Sequence, residues 1–429
     1  MDERNYFART FYALGNPQFR ILFIGNIFSF LGMQMQVLAR GYLAFDLTGR
    51  NSALGAVMLA FGLPQLLLSL WGGVVADRLP KRAVLLTMQS IVAANSAWLA
   101  IMIEMDIVSF WMLIVGGVVQ GAAFSFIGPA RQAFISDLVG KESIGNAVVL
   151  QQLSMNSTRV IGPSIAGAFI AISFIGIGGV YFMTTLGFIL ASLMMLRLPS
   201  GSPKPREHAR SPLADMADGL RYVRKQKRVM LLILSSFCIV MVGFPYQSFL
   251  PSLARSEYHI GAGGLGTLQS AGAIGAVFMT ILVAMFSNHP KAWAFQAISG
   301  LLFGVSIIGL GLAPNFAVGL FAMVAVGGLA SAFQSLNNSL TMMHTESEYH
   351  GRVQSLSMMS WSLFGLFSLP LGIIADHIGL EETFILMGLF CIGSIIAIDL
   401  IGRVTGIRSQ PTLAPARREQ PAGEPAAGG

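Results

Sequence analysis

The chain is divided by short polar gaps into long apolar runs, and many of these runs reach the ~20 residues that an α-helix needs to cross a bilayer. Hydrophobic residues make up 54% of the 429 positions and charged residues only 11%, whereas soluble domains carry roughly 25% charged residues. A chain of this size and composition cannot hide its apolar surface inside a water-soluble globule. The sequence therefore predicts an all-α integral membrane protein.

Twelve transmembrane helices in two pseudo-symmetric six-helix bundles are predicted. We expect them at residues 19–45, 52–76, 83–103, 107–129, 144–172, 178–198, 229–254, 263–286, 292–312, 316–340, 353–376 and 382–402. The longest polar segment, 199–228, separates an N-terminal half (1–198) from a C-terminal half (229–403). Its second part has apolar residues at helical spacing between arginines and lysines, which predicts a basic amphipathic helix on the anionic cytoplasmic surface. A tail at 404–429, rich in Pro, Ala, Gly and Arg, is expected to be disordered.

Lysine and arginine positions fix the orientation. They are concentrated at the amino terminus, in the gaps after the even-numbered helices and in the tail, whereas the opposite loops hold only Arg50 and Arg255. Short loops rich in Lys and Arg stay in the cytoplasm, so both termini are predicted to be cytoplasmic. The net charge of +7 is therefore a sign of topology. It does not indicate an acidic substrate or a nucleic acid partner.

The gap after the second helix reads GGVVADRLPKR, from Gly72 to Arg82. Its glycines allow close helix approach, and a carboxylate at the membrane boundary needs a cation or a helix N-terminus beside it. This gap resembles the signature loop between helices two and three of the major facilitator superfamily of transporters. The candidate gating residues of the loop are Gly73, Asp77, Arg78, Lys81 and Arg82.

An internal repeat supports the division into halves. Pro80-Lys81 corresponds to Pro290-Lys291 at an offset of 210 residues, and Pro163 corresponds to Pro370 at an offset of 207. Two parallel halves around a cavity at the midplane are typical of such transporters. The second copy of the loop has no carboxylate at the position of Asp77, so we expect the halves to differ in function.

Short motifs across nearly the whole chain resemble the branch called transmembrane secretion effectors, which includes macrolide and siderophore exporters. They read Asn16-Pro17-Gln18-Phe19-Arg20, Ser29-Phe30-Leu31-Gly32, Phe45-Asp46-Leu47-Thr48-Gly49, Gly128-Pro129-Ala130-Arg131-Gln132-Ala133 and Gly351-Arg352-Val353-Gln354-Ser355-Leu356. The resemblance implies the major facilitator fold, alternating access and proton-driven antiport. It also implies a cytoplasmic latch in which Asp77 meets Arg131, at the end of helix four, and the N-terminus of helix eleven.

Helix five carries the most informative polar stripe. Gln152, Asn156 and Arg159 are spaced to share one face, and a buried arginine is costly in hydrocarbon, so Arg159 must face a wet cavity or a partner. A glycine and proline cluster follows, resembling the helix-five signature of drug antiporters. Its predicted hinge and packing residues are Gly162, Pro163 and Gly167.

Other polar residues in the apolar runs are candidates for the same cavity. They are Gln36, Arg40, Gln120, Gln247, Gln269, Gln334, Asn338 and Trp361. Two alternatives stay open: single amides often make inter-helix hydrogen bonds, and Arg40 can extend to the membrane surface. The acidic residues in or beside the apolar runs (Asp46, Glu104, Asp106, Asp376 and Asp399) lie near helix ends, so a cavity with many amides and two arginines suits neutral or anionic cargo.

The sequence predicts a transporter without cofactor, metal or catalytic residues. The sequence contains no phosphate-binding Gly-Lys loop, so nothing in it suggests ATP hydrolysis. Asp77 and Asp46 are the candidates for proton coupling. The preferred function is a proton-coupled exporter of small amphipathic, drug- or siderophore-like molecules, acting as a monomer in the bacterial inner membrane among its lipids. The alternatives are an importer or a lysolipid or metabolite translocator of the same fold. A membrane enzyme or sensor is disfavoured because no His, Asp or Cys cluster and no soluble domain is present.

Overall fold

A computed structural model describes residues 12–140, 143–201, 212–284, 289 and 291–405. All regular elements in this part of the chain are helices. The α-helices are α1 Pro17–Thr48, α2 Asn51–Arg78, α3 Lys81–Glu104, α4 Phe110–Leu138, α5 Ile144–Ala171, α6 Gly176–Leu196, α7 Pro212–Lys225, α8 Lys227–Cys238, α9 Tyr246–Ser252, α10 Ala262–Ala284, α11 Ala292–Gly311, α12 Phe316–Met343, α13 His350–Ile378 and α14 Leu380–Val404.

The described residues include 10 spans that are long and apolar enough to cross a membrane. Helices α5 and α13 are not among them, although they have sufficient length at 28 and 29 residues. The predicted fold class, an all-α membrane protein, is confirmed. The total of twelve spans stays a prediction for α5 and α13.

The seventh span is irregular. It runs from Lys227 to Glu257 and is broken into α8, a π-helical segment at Ile239–Gly243, α9 and a second π-helical segment at Leu253–Glu257. Pro245, just before α9, has no backbone N–H to donate. The sequence predicts a plain helix at 229–254, but π-helical segments depend on packing that hydropathy does not report.

The helices before and after the linker share a packing pattern. Helix α2 packs on α4, and α3 on α4 and α6, while α10 packs on α12, and α11 on α12 and α14. A Cβ atom at Gly121 of α4 would overlap the carbonyl oxygen of Phe61 in α2, and one at Gly327 of α12 would overlap that of Gly272 in α10. Small residues at equivalent crossings therefore let both sets of backbones touch. We call α1–α6 the N-half and α8–α14 the C-half.

The two halves meet through α2 with α13 and through α5 with α10. A Cβ atom at Gly365 would lie 2.6 Å from the carbonyl oxygen of Met58, and one at Gly167 would lie 2.5 Å from that of Ala262. These glycine contacts lie toward the end of the bundle where α1 ends and α2 begins. We call it the closed end, and the opposite end, where α2 ends and α3 begins, the signature end.

The linker helix α7 packs against the C-half. The ring of Tyr222 stacks on that of Tyr349 with centroids 4.1 Å apart, and its hydroxyl accepts a hydrogen bond of 3.0 Å from the backbone N–H of Glu346. Val223 is buried in the same cluster as Val353. Part of the apolar face predicted to lie on lipid is thus covered by protein, because the aromatic pair and Val353 provide an alternative apolar surface.

Candidate functional site

Arg159 lies where the contacts between the halves end. Its side chain is exposed on α5, and the next residue, Val160, accepts a hydrogen bond of 2.8 Å from the Ser270 hydroxyl on α10. Gln152 and Asn156, also exposed, continue the stripe of Arg159 away from the closed end and are joined by a hydrogen bond of 3.3 Å. The predicted polar face of helix five therefore starts at the interface between the halves and leads away from the sealed part.

The irregular seventh span places polar groups opposite Arg159. The Tyr246 hydroxyl lies within electrostatic range of the Arg159 guanidinium, and Gln247 donates a hydrogen bond of 3.5 Å to this hydroxyl. Both residues open α9, just after the π-helical segment and Pro245. Distortions of this type often occur at functional sites. Arg159 belongs to the N-half and Tyr246 and Gln247 to the C-half, and we call these three residues the central polar group.

A second set of predicted cavity residues is sealed inside the N-half. The guanidinium of Arg40 donates to Gln120, Gln120 donates to Gln36 at 2.8 Å, and Gln36 donates to Ser96 at 3.2 Å. Arg40 is only 4% exposed, and among the described residues no carboxylate forms an ion pair with it. Its charge also acts on the Tyr181 hydroxyl. In this conformation the three residues form a buried network and do not line an open cavity.

The C-half holds a neutral network. Gln296 of α11 donates to Asn337 of α12 at 3.2 Å, and Ser235 of α8 donates to the same amide oxygen at 3.1 Å. The sequence analysis did not select Ser235 or Gln296. Of the residues predicted on α12, Gln334 is half-buried with its Oε1 atom unpaired, and Asn338 is exposed. The signal in the sequence that could have located the network is the pair of adjacent asparagines Asn337-Asn338 within an apolar run, because Asn337 accepts both hydrogen bonds.

The remaining predicted cavity and hinge residues have mixed positions. Gln269 is half-buried on α10, while the side chain of Trp361 lies outside the described residues. A Cβ atom at Gly162 would lie 2.6 Å from that of Gln34 on α1, so this glycine serves packing within the N-half. Pro163 and Gly167 face α10 across the interface between the halves.

The predicted latch between Asp77 and Arg131 is not formed in this structure. Asp77 is exposed and makes no hydrogen bond or ion pair with any described residue. Arg131 is turned into the N-half, where it donates to the Ser29 hydroxyl at 3.2 Å and lies 4.4 Å from the centre of the Phe30 ring. The sequence analysis did not predict the contacts with Ser29 and Phe30, which hold the Arg131 guanidinium inside the bundle.

Lys81 forms a buried ion pair at the signature end. Its ammonium lies 3.3 Å from the Asp137 carboxylate, and the two side chains are 4% and 14% exposed. Arg82 donates to the carbonyl oxygen of Leu198 at 2.8 Å, whereas Arg78 is exposed. The loop therefore fastens the N-half together internally, in addition to its predicted role in topology.

Two further predictions concern individual residues. A Cβ atom at Gly73 would meet open space, while one at Gly72 would overlap the carbonyl oxygen of Ser125, so Gly72 makes the close helix contact. Asp46 forms an ion pair of 2.6 Å with Arg255. This pair connects α1 to the end of the seventh span at the closed end. Among the described residues, no group of three or more His, Cys, Asp or Glu side chains is arranged to hold a metal.

Two sets of helices that share a packing pattern and meet through α2 with α13 and α5 with α10 define the fold of a transporter of the major facilitator type. The family model of the transmembrane secretion effectors matches residues 8–410, and the chain belongs to this family. The predicted family is thereby confirmed.

Individual relatives agree with this assignment. The staphyloferrin A transporter of Staphylococcus aureus is 25% identical, covering 86% of this chain and 90% of its own. Macrolide efflux protein A of Streptococcus pyogenes is 22% identical, covering 94% and 98%. A crystal structure of the nucleoside transporter NupG is 12% identical with a TM-score of 0.72, covering 90% and 98%. The chain is thus a multi-pass membrane transporter of small molecules and not an enzyme.

Proposed function

We propose that this transporter exports small amphipathic molecules, neutral or anionic, in exchange for protons, by alternating access between its two halves. The observation that carries the proposal is the position of Arg159: exposed, next to the contact between α5 and α10 that joins the halves, and without an ion-pair partner among the described residues. A cation in such a place favours cargo with anionic or carbonyl oxygens. The macrolide and siderophore transporters among its relatives support cargo of this size.

The proposed orientation has the closed end outside and both termini in the cytoplasm of a bacterial inner membrane, with the protein acting as a monomer. The concentration of lysines and arginines at the signature end supports this orientation. Arg221, Arg224 and Lys225 are exposed on the linker helix α7, where anionic lipid headgroups would bind them. Cargo would then enter from the cytoplasm and contact the central polar group.

Proton coupling is assigned to Asp46 or Asp77. Protonation of Asp46 would remove its attraction to Arg255 and weaken the closed end, which supports Asp46 as the residue that responds to protons from outside. Asp77, exposed at the signature end, would respond on the cytoplasmic side.

The test is efflux of an anionic dye, a macrolide and a cationic dye from cells producing Arg159→Gln or Arg159→Lys. A hydrogen bond to a charged group contributes about 1.5–3 kcal/mol, so Arg159→Gln should lower anionic dye efflux about tenfold or more, and Arg159→Lys should lower it less. Arg197→Gln, which removes another exposed arginine, is the matched control and should transport normally.

Three results would contradict the proposal. One is unchanged efflux of all three compounds by Arg159→Gln. Another is net uptake of cargo by right-side-out vesicles, driven by an inward proton gradient, which would support the importer alternative. Cationic dye efflux that exceeds that of the anionic dye would remove the assigned cargo class.

A further inference from the structure

At the closed end, the C-half caps a helix of the N-half. The Asp376 carboxylate on α13 accepts hydrogen bonds of 2.6 Å and 3.0 Å from the backbone N–H groups of Asn51 and Ser52. These are the first two residues of α2, and the preceding residue, Arg50, makes no side-chain cap of its own. The first N–H groups of a helix have no partner within it, so Asp376 supplies from the opposite half what the local sequence lacks.

The antiparallel pairing of α2 and α13 places Asp77 in the mirror position. From Asn51 to Asp77 is 26 residues along α2, and from Asp376 back to His350 is also 26 residues along α13. His350 is the first residue of α13, and the residue before it, Tyr349, makes no side-chain cap. Each helix therefore begins without a side-chain cap from its own preceding residue, and each has an aspartate in its last turn, opposite the N-terminus of the other helix.

We propose that Asp376 is a latch at the closed end, and that it alternates with the cytoplasmic latch that the family resemblance implies for Asp77. Asp376 caps α2 while the closed end is shut, as observed here. When the halves rock, Asp376 leaves α2 and Asp77 caps α13 at the signature end. A carboxylate at a helix N-terminus is stabilised by hydrogen bonds and by the helix dipole, so each latch favours one of the two conformations. The inference rests on the alternating access proposed above.

The structure supports a conformation-dependent role for both residues. Asp77 is exposed and free of partners among the described residues, as expected for the open latch. Close to the closed latch, a Cβ atom at Gly372 would lie 2.5 Å from the carbonyl oxygen of Asn51. Backbone contact at this point brings the Asp376 side chain, one turn further along α13, to the start of α2.

The test is the distance between two spin labels at the closed end, measured without cargo in the full chain. Met105→Cys and Leu312→Cys carry the labels on exposed positions of the N-half and the C-half, in a background with Cys238→Ala and Cys391→Ala. Asp376→Ala should raise the ratio of open to closed distances roughly fivefold, the factor for losing a cap of about 1 kcal/mol. Asp376→Asn, which retains an acceptor, should have a smaller effect.

Three comparisons make the test specific. Asp77→Ala should shift the ratio in the opposite direction, and the double variant should return toward the wild-type value, which a general loss of stability would not produce. Asp399→Ala is the matched control because Asp399 pairs with Arg403 on its own helix, and it should change nothing. Unchanged distances in Asp376→Ala, or a shift in the same direction by both variants, would overturn the proposal.

The outcome is separable from the test of cargo. If the Arg159 variants transport normally but the distances shift as expected, the cargo assignment fails and the latches stand. If the spin-label distances in Asp376→Ala equal those of the wild type while the Arg159 variants lose efflux, the latch proposal fails and the cargo assignment stands.

Discussion

The N-half and the C-half are built on the same packing but differ in charge. Gly121 and Gly327 make the same type of backbone contact in equivalent helix pairs. Each half also has a buried polar network joining its first, third and fourth spans. In the N-half this network contains the cation Arg40, whereas in the C-half Ser235, Gln296 and Asn337 are all neutral. The repeat therefore preserves the scaffold, and the buried positive charge is a specialisation of the N-half.

The largest expected effect tests the shared scaffold. Gly121→Val and Gly327→Val should both destabilise the protein, by about 3 kcal/mol or more, because the new side chain meets a backbone oxygen that cannot easily move. Thermal unfolding in detergent measures this effect. Gly128→Ala and Gly309→Ala are controls, since a Cβ atom there meets no atom within 4 Å. A large effect in only one half would contradict the equivalence of the two packings.

The second prediction compares the lysines of the internal repeat. Lys81→Ala should cost about 3 kcal/mol of stability, because it leaves the largely buried Asp137 carboxylate without its ammonium partner. Lys291→Ala, at the corresponding but exposed position, should change stability by less than ~0.5 kcal/mol. The unfolding temperatures of the two variants, each compared with that of the wild type, measure these losses. Equal losses would show that burial of the Lys81 pair does not distinguish the halves.

The third prediction separates function from stability in the two networks. Arg40→Met should lower transport about tenfold while the unfolding temperature changes little, because removing a buried charge that has no carboxylate partner offsets the hydrogen bond that Gln120 loses. Asn337→Leu should do the reverse: about 1–2 kcal/mol of stability is lost because Gln296 keeps an unsatisfied amide, and transport is largely retained. If Arg40→Met lowers stability and transport together, Arg40 is a structural residue.

The smallest expected effect concerns the contact between the halves. Arg255→Ala removes the ion pair with Asp46, whose side chains are 49% and 37% exposed. Surface pairs of this kind contribute ~0–1 kcal/mol and are screened by salt. The fraction of open distances at the closed end should therefore rise by less than about fivefold, with little difference from wild type at high salt. A larger shift that salt does not reduce would show that Arg255 does more than form this pair.

The sequence determined the membrane class, the family and the polar stripe of helix five, because these depend on hydropathy, on short motifs and on helical spacing. It did not predict which charges would pair. Asp77 and Arg131 were expected to meet, but Arg131 turns toward Ser29 and Phe30, and Lys81 pairs with Asp137. Such choices depend on side-chain directions and on the angle between helices. The seventh span was likewise predicted as a plain helix, because π-helical segments leave no mark in hydropathy.

The linker is fastened at both of its ends. Ser200 accepts a hydrogen bond of 3.2 Å from the backbone N–H of Arg82, and Tyr222 stacks on Tyr349. The segment 202–211 is ten residues long, and ten residues span at most ~35 Å when fully stretched. The length of this segment thus sets an upper bound on the separation of the two halves at the signature end. Shortening the segment should reduce the size of the largest molecule that can enter.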